Sequence, residues 1–235
     1  MKLAVIGADG FVGAEIIKAI KSDGKYDLIS IVRSDDISGK IEAADLVIHA
    51  ANPAKRFMAE KEPINDFVET AEKTFSLLKT AKEKKFILIS TLSCRTQLNT
   101  NYGRNRRFCE LMALNQGASV IRLGPMFGGS RKQDLLHDLL AGKKIYVSAE
   151  TKYAYVDVEW VGQKILNLIN KKPNIYEIGA KNSISLAHLR DFFNSSSIFE
   201  GPDDTQIPET KDDGPDAKLV IEYAKKEFIN LNNWI

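Results

Sequence analysis

Two cysteines in 235 residues, Cys94 and Cys109, cannot build the disulfide framework on which small secreted folds depend, and both read as reduced thiols. The three histidines, His49, His137 and His188, stand far apart without ligand spacing, so no metal site is expected. Apolar runs long enough to cross a membrane, roughly 18 residues or more, are missing as well. The N-terminal apolar stretch Leu3 to Ile6 meets Gly7 too soon to serve as a signal peptide, which leads to the expectation of a cytoplasmic protein. Net charge is also scarce: 33 Lys and Arg against 31 Asp and Glu leave +2. A near-neutral chain lacks the broad positive field that holds a polyanion, so neither nucleic acid nor a membrane is an expected partner. No internal repeat is visible.

What is present is alternation. Leu3 to Ile6, Leu28 to Val32, Leu46 to His49, Phe86 to Ser90 and Val120 to Leu123 are short and nearly all apolar, as strands covered on both faces should be. Between them Phe11, Val12, Ile16, Ile17 and Ile20 keep helical spacing, as do Phe67, Ala71, Phe75, Leu78 and Ala81. Strands alternating with helices imply an α/β, Rossmann-type doubly wound parallel sheet. Residues 33 to 45 are too few for a full helix and a third strand, so the sheet is expected to be trimmed there. Beyond Gly128 and Gly129 the pattern loosens. A helix is expected over 134 to 141, a short strand over 145 to 147, a helix over 160 to 169, a strand over 175 to 178 and a last helix over about 217 to 230. Pro202, Pro208 and Pro215 mark an irregular stretch between 195 and 217. The expected division is a dinucleotide-binding domain over 1 to 125, with returning segments at roughly 150 to 170, and a small C-terminal substrate lobe over 126 to 235.

The stretch VIGADGFVGAEII sets Gly7, Gly10 and Gly13 between the first strand and the first helix. Glycine permits positive φ and lets backbone N–H groups approach a pyrophosphate, while the helix N-terminus adds unpaired donors and partial positive charge. Gly7, Asp9, Gly10, Phe11, Val12 and Gly13 are therefore candidate dinucleotide contacts. After the second strand Arg33 precedes Asp35 and Asp36. Arginine there suits the 2′-phosphate of NADP and an acid the 2′-hydroxyl of NAD, so NADP is expected with NAD as the alternative.

With these residues in place the chain resembles the extended short-chain dehydrogenase/reductases, the group of nucleotide-sugar epimerases, dehydratases and reductases. The likeness runs over about residues 1 to 190: the glycine loop, DLVIHAA at 45 to 51, FILISTLS at 86 to 93, YGRNRRFCE at 102 to 110, VIRLGPMFGG at 120 to 129 and YAYVDVEWVGQKI at 153 to 165. The resemblance implies that Tyr102 is the catalytic acid/base, that Thr91 hydrogen-bonds the reacting oxygen, and that Ala50 and Ala51 give the cofactor room. Arg106 stands where the family has lysine, four residues past Tyr102 on the same helix face, so it can lie under Tyr102 or beside the cofactor ribose, and both residues are candidate cofactor contacts. Arginine keeps the charge but not the shape. A phenol ordinarily loses its proton near pH 10, so a neighbouring cation eases its use as an acid/base near neutrality. An asparagine of the family falls at Thr70. His49 is read as a packed strand-end residue, and Arg104 and Arg107 as solvent-facing.

The same resemblance places the nucleotide sugar against Pro125, Met126, Phe127 and Arg131, with Lys132 beside them, and gives Asp157 a structural role. Leu92 and Ser93 replace the Asp-Glu of the 4,6-dehydratases, and leucine cannot transfer a proton. That leaves a 4-keto-sugar reductase, favoured by Arg33, or a 4-epimerase. A catalytically idle NAD(P)-binding sensor or scaffold is the reading from another class. The resemblance further implies a homodimer through helices at about 65 to 83 and 102 to 116.

Overall fold

Each glycine- or charge-marked break in the sequence turns the chain between strand and helix in the computed structural model, which describes residues 1–131, 133–209 and 214–232, with the side chains of 228–232 excepted. The chain divides into two units: Met1–Leu123 with Glu159–Glu177, and Gly124–Val158 with Ile178–Ile235.

The first unit opens with β1 (Lys2–Ile6), α1 (Phe11–Asp23), β2 (Asp27–Ile31), α2 (Ile37–Glu42) and β3 (Leu46–His49). Three helical pieces follow, α3 (Arg56–Lys61), α4 (Pro63–Phe67) and α5 (Lys73–Thr80), the last two joined by a π-helical segment, Val68–Glu72. Then come β4 (Lys85–Thr91), α6 (Ser93–Thr96), α7 (Asn101–Asn115) and β5 (Ser119–Leu123). A helix at Val158–Leu168 and a strand at Ile175–Ile178 return to this unit. The six strands lie in the order β2-β1-β3-β4-β5 and then Ile175–Ile178, and the first five pair in parallel. As expected from residues 33 to 45, a six-residue helix takes the chain from β2 across β1 to β3, leaving β2 on the sheet edge.

The apolar strands are buried on both faces, with Leu3, Val5, Val47, Ile48, Leu88, Val120 and Ile121 inaccessible to solvent. Burying one such side chain contributes about 1.5–3 kcal/mol, so the central strands and the helices that cover them supply most of the drive to fold. Gly24 ends α1 in the left-handed conformation at φ 68°, its N–H bonded to Ile20 O. The helix expected over 67 to 81 comes in three pieces, with the π turn centred on Thr70; Ala71, Leu78 and Ala81 are buried, whereas Phe67 and Phe75 are exposed.

In the second unit, Met126–Phe127 pairs in parallel with Val156–Asp157, and Lys152–Tyr153 pairs antiparallel with Ile184–Ser185. Helices occupy Leu135–Leu140, Leu186–Phe192 and Leu219–Asn232. The strand expected over 145 to 147 is reduced to one bridge, Ile145 to Phe199, because no neighbouring chain continues the ladder. Lys132 lies outside the described residues.

Candidate active site

The β1–α1 loop is held from below by β2: the N–H groups of Gly7 and Ala8 both donate to Ile31 O, at 3.0 and 3.2 Å. Gly7 has φ +83°, and a Cβ there would lie 2.9 Å from the Ala51 Cα and 3.0 Å from the Ala50 carbonyl. A Cβ on Gly13 would lie 1.9 Å from Gly7 O. Backbone thus packs on backbone at these two positions, and only glycine fits. Gly10 forms the N-cap of α1 without a side-chain cap, and no acidic residue occupies the first turn. Asp9 is exposed, whereas Phe11 and Val12 are half-buried at the helix start. The uncapped amides and the missing side chains fit a pyrophosphate.

At the next strand end, Arg33 is 88% exposed and pairs with Glu69 at 3.0 Å. Asp35 is turned inward on its own loop: one oxygen accepts from Val32 N at 2.7 Å and meets Lys40 Nζ at 2.9 Å. The backbone bond first, then Lys40, hold its carboxyl below the ordinary range. Asp36 caps α2 by accepting from Gly39 N.

β3 ends at His49, which is fully buried, its Nε2 3.2 Å from Thr74 Oγ1. Burial first, then the charges of Lys73 and Arg106, push its pKa down to about 3, so the ring is neutral. Asn52 lies near enough to oppose that fall a little. Yet the buried side-chain nitrogen and oxygen of Asn52 find no hydrogen-bond partner among the described residues. An unsatisfied buried polar group costs about 1–3 kcal/mol, a deficit that a ligand or water seated beside Ala50 and Ala51 would relieve.

Tyr102 opens α7, whose start is doubly capped. Thr100 accepts from Gly103 N at 3.0 Å, and the Glu60 carboxylate accepts from Asn101 N at 2.7 Å. A carboxylate at a helix N-terminus is favoured by the helix dipole. The Tyr102 ring is buried, with the Arg106 guanidinium carbon 4.4 Å from its centroid and that of Arg56 at 5.9 Å. Its hydroxyl makes no hydrogen bond to any described residue. Arg106 is 2% exposed and committed to protein. It donates to Thr70 Oγ1 at 2.6 Å and to Pro53 O, and lies 3.7 Å from Asp66. The two departures from the family pattern, Arg106 and Thr70, are therefore bonded to each other. The guanidinium reaches farther than an ammonium would and meets a shorter partner.

Thr91 ends β4, its Oγ1 accepting from Ser93 N and donating to Ser93 Oγ, both at 3.3 Å. A Cβ on Gly103 would stand 2.1 Å from Gln97 O and 2.9 Å from Ser93 O, so the turn after Thr91 packs directly on the first turn of α7. Among the predicted residues, then, the glycine loop meets Ala50 and Ala51, Tyr102 meets Arg106, and the segment that follows Tyr102 meets the turn that follows Thr91. Arg104 is exposed as expected, but Arg107 is half-buried and pairs with Glu110 at 3.0 Å. Arg56 and Glu60 were not anticipated, since they fall in a stretch without periodicity. Glu110, which shares a helix face with Tyr102 and Arg106, could have been found from that spacing alone.

In the second unit Pro125 and Met126 are half-buried and Phe127 is buried, its ring 5.2 Å from Tyr223. Arg131 is half-buried. The left-handed Gly128 (φ +88°) would set a Cβ 3.4 Å from the Asp157 carboxylate. Among the described residues no group of histidine, cysteine and acidic side chains is arranged to hold a metal, and no helix is long and apolar enough to cross a membrane.

No protein-family profile matches the sequence, and no curated protein matches it. Solved structures do. A UDP-glucose 4-epimerase from Thermotoga maritima, solved with UDP-glucose, superposes with a TM-score of 0.77 at 18% identity, over 97% of this chain and 99% of that one. A UDP-glucuronic acid 4-epimerase from Bacillus cereus, in complex with UDP-glucuronic acid and NAD, gives 0.77 at 18% identity over 100% of both chains. A dTDP-4-dehydrorhamnose reductase from Yersinia enterocolitica gives 0.70 at 19% identity over 86% of this chain and 83% of that one. The fold is the Rossmann-type α/β fold that these structures share.

Proposed function

We propose that the chain is an NADP-linked oxidoreductase that reduces the 4-keto group of a nucleotide-activated sugar, with Tyr102 as the general acid. The observation that carries this reading is the buried Tyr102 ring over the Arg106 guanidinium, its hydroxyl uncommitted, on a helix start packed against the Thr91 turn. The Tyr102 hydroxyl, bonded to no described residue, can give its proton to an alkoxide and recover it from solvent. Thr91 would donate to the same oxygen. Arg106, whose NH1 and NH2 already bond Thr70 and Pro53, packs its guanidinium over the Tyr102 ring. A bound reduced nicotinamide supplies the hydride.

Gly7, Asp9, Gly10, Phe11, Val12, Gly13, Ala50 and Ala51 are the proposed dinucleotide contacts. Support for NADP comes from the strand end: Arg33 is exposed and bonded to one exchangeable carboxylate, whereas Asp35 is occupied by Val32 N and Lys40. Pro125, Met126, Phe127 and Arg131 are proposed for the nucleotide sugar, by resemblance. The solved relatives whose names state a nucleotide sugar lend the substrate class. A homodimer is proposed through α4, α5 and α7. There Phe67 stacks on Phe108 with ring centroids 6.3 Å apart, and Phe75 and Leu111 are also exposed.

A second reading, a dinucleotide-binding protein without turnover, is favoured by the donors of Arg106 being held by protein rather than left for a ribose. The decisive assay follows NADPH absorbance against a panel of UDP- and dTDP-linked 4-keto hexoses, with NADH in parallel. Turnover with NADPH, abolished in Tyr102→Phe while NADPH binding persists, is the expected result. Activity surviving Tyr102→Phe would refute the role of the phenol, and a strong preference for NADH would refute that of Arg33.

A further inference from the structure

Glu110 follows Tyr102 by eight residues and Arg106 by four, so the three side chains form one stripe along α7. Its carboxylate is inaccessible to solvent and gathers five donors. Oε1 accepts from Ser90 Oγ at 2.7 Å, Cys94 Sγ at 2.7 Å and Arg122 Nε at 2.9 Å. Oε2 accepts from Arg122 NH2 at 2.7 Å and Arg107 NH1 at 3.0 Å. Ser90 and Cys94 bracket Thr91, so one carboxylate oxygen grips the catalytic turn on both sides. The Cys94 thiol is also 2.8 Å from Thr91 O, its one proton shared between that carbonyl and Glu110. Arg122, on β5, continues to Glu177 at 3.1 Å, and Glu177 holds Arg95 of α6 through two bonds of 3.2 Å.

The electrostatics keep this arrangement in one protonation state. Burial alone would raise the Glu110 carboxyl, but the bonds from Arg122, Cys94 and Ser90 outweigh it and leave it lowered. Burial and then Glu110 push the Cys94 thiol up to about 12, so it stays a donor. A buried ion pair of this kind is a poor source of stability, because well-packed apolar groups of similar volume do as well. What such a pair supplies here is direction: charge-assisted bonds that join β4, α6, α7 and β5 at fixed distances.

We propose that Glu110 is a positioning residue that locks the Thr91 turn in register with Tyr102, so that both hydroxyls address one substrate oxygen. The proposal rests on the reading of Tyr102 and Thr91 given above. Misplacement by about 1 Å costs on the order of 100-fold in rate, which is the scale of the expected effect.

The test replaces the buried pair by apolar residues in Glu110→Leu/Arg122→Met, which leaves Glu177 paired with Arg95. Melting temperature, NADPH affinity, amide hydrogen exchange over residues 90 to 97 and turnover of the keto-sugar panel are measured together. The variant is expected to melt near the wild-type temperature and to bind NADPH unchanged. Exchange across 90 to 97 should quicken by about tenfold or more, and kcat should fall about 100-fold at constant KM. A folded variant whose exchange over that segment matches wild type overturns the proposal. If the double variant does not fold, the Cys94 pair decides. Cys94→Ala should quicken exchange and Cys94→Ser should restore it; two variants indistinguishable from wild type overturn the proposal equally. Wild-type protein that turns over no keto sugar would refute the proposed reaction, and the exchange measurements would still judge Glu110.

Discussion

Acidification from pH 7 to pH 5 should remove about 2 kcal/mol of stability through His49 alone. The imidazole has an ordinary pKa of 6.5 and a folded value of about 3. Between those values the unfolded chain binds a proton that the native protein refuses. Stability therefore rises with pH across this window, by about 1.4 kcal/mol per unit. The contribution is fully present above 6.5 and is lost as pH falls toward 3. Integrated from 7 to 5, the loss is about 2 kcal/mol, or roughly 4–8 °C in Tm for a chain of this size. Glu110 does not interfere, because a lowered carboxyl yields its stability only below its ordinary 4.5. The assay is denaturant unfolding of wild type and His49→Gln at pH 7, 6 and 5. Glutamine can still bond Thr74 but cannot titrate, so the gap between the two proteins should narrow by about 2 kcal/mol on acidification. Parallel pH curves would show that His49 is not the buried neutral group described here.

Gly13→Ala would drive a Cβ to 1.9 Å from Gly7 O, and no flexible side chain is there to yield. The loop must shift by about 1 Å, and NADPH affinity by fluorescence titration should fall about 100-fold; unchanged affinity would remove the glycine loop from the cofactor site. Phe108→Glu places a charge on the exposed Phe67–Phe108 face. Light scattering should then report a monomer where wild type is a dimer, with a melting temperature that no longer depends on protein concentration. A wild-type monomer would dispose of the homodimer outright.

The parallel sheet was legible in the chain because a strand covered on both faces must be nearly all apolar, as Leu3 to Ile6, Leu46 to His49 and Val120 to Leu123 are apart from His49 and Arg122. The glycine loop was legible for a related reason, since Gly7 and Gly13 are demanded by backbone-on-backbone contact. Tyr102 and Arg106 declared their pairing through helical spacing. Arg56 and Glu60 did not, because they come from a separate helix whose approach to α7 leaves no local periodicity. The strand expected at 145 to 147 failed for the opposite reason: an apolar triplet has β propensity, but without a neighbour to pair with it makes one bridge.

Local patterning, in short range, decided where the chain turns, which faces are buried and where a phosphate could be cradled, since each depends on residues a few positions apart. Tertiary packing alone decided how charge is spent. It turned Asp35 toward its own loop, joined Arg106 to Thr70 across 36 positions, and closed Glu110 on Ser90, Cys94 and Arg122. A buried ion takes whichever partner the fold brings within hydrogen-bond reach, and that distance is written nowhere in the order of the residues.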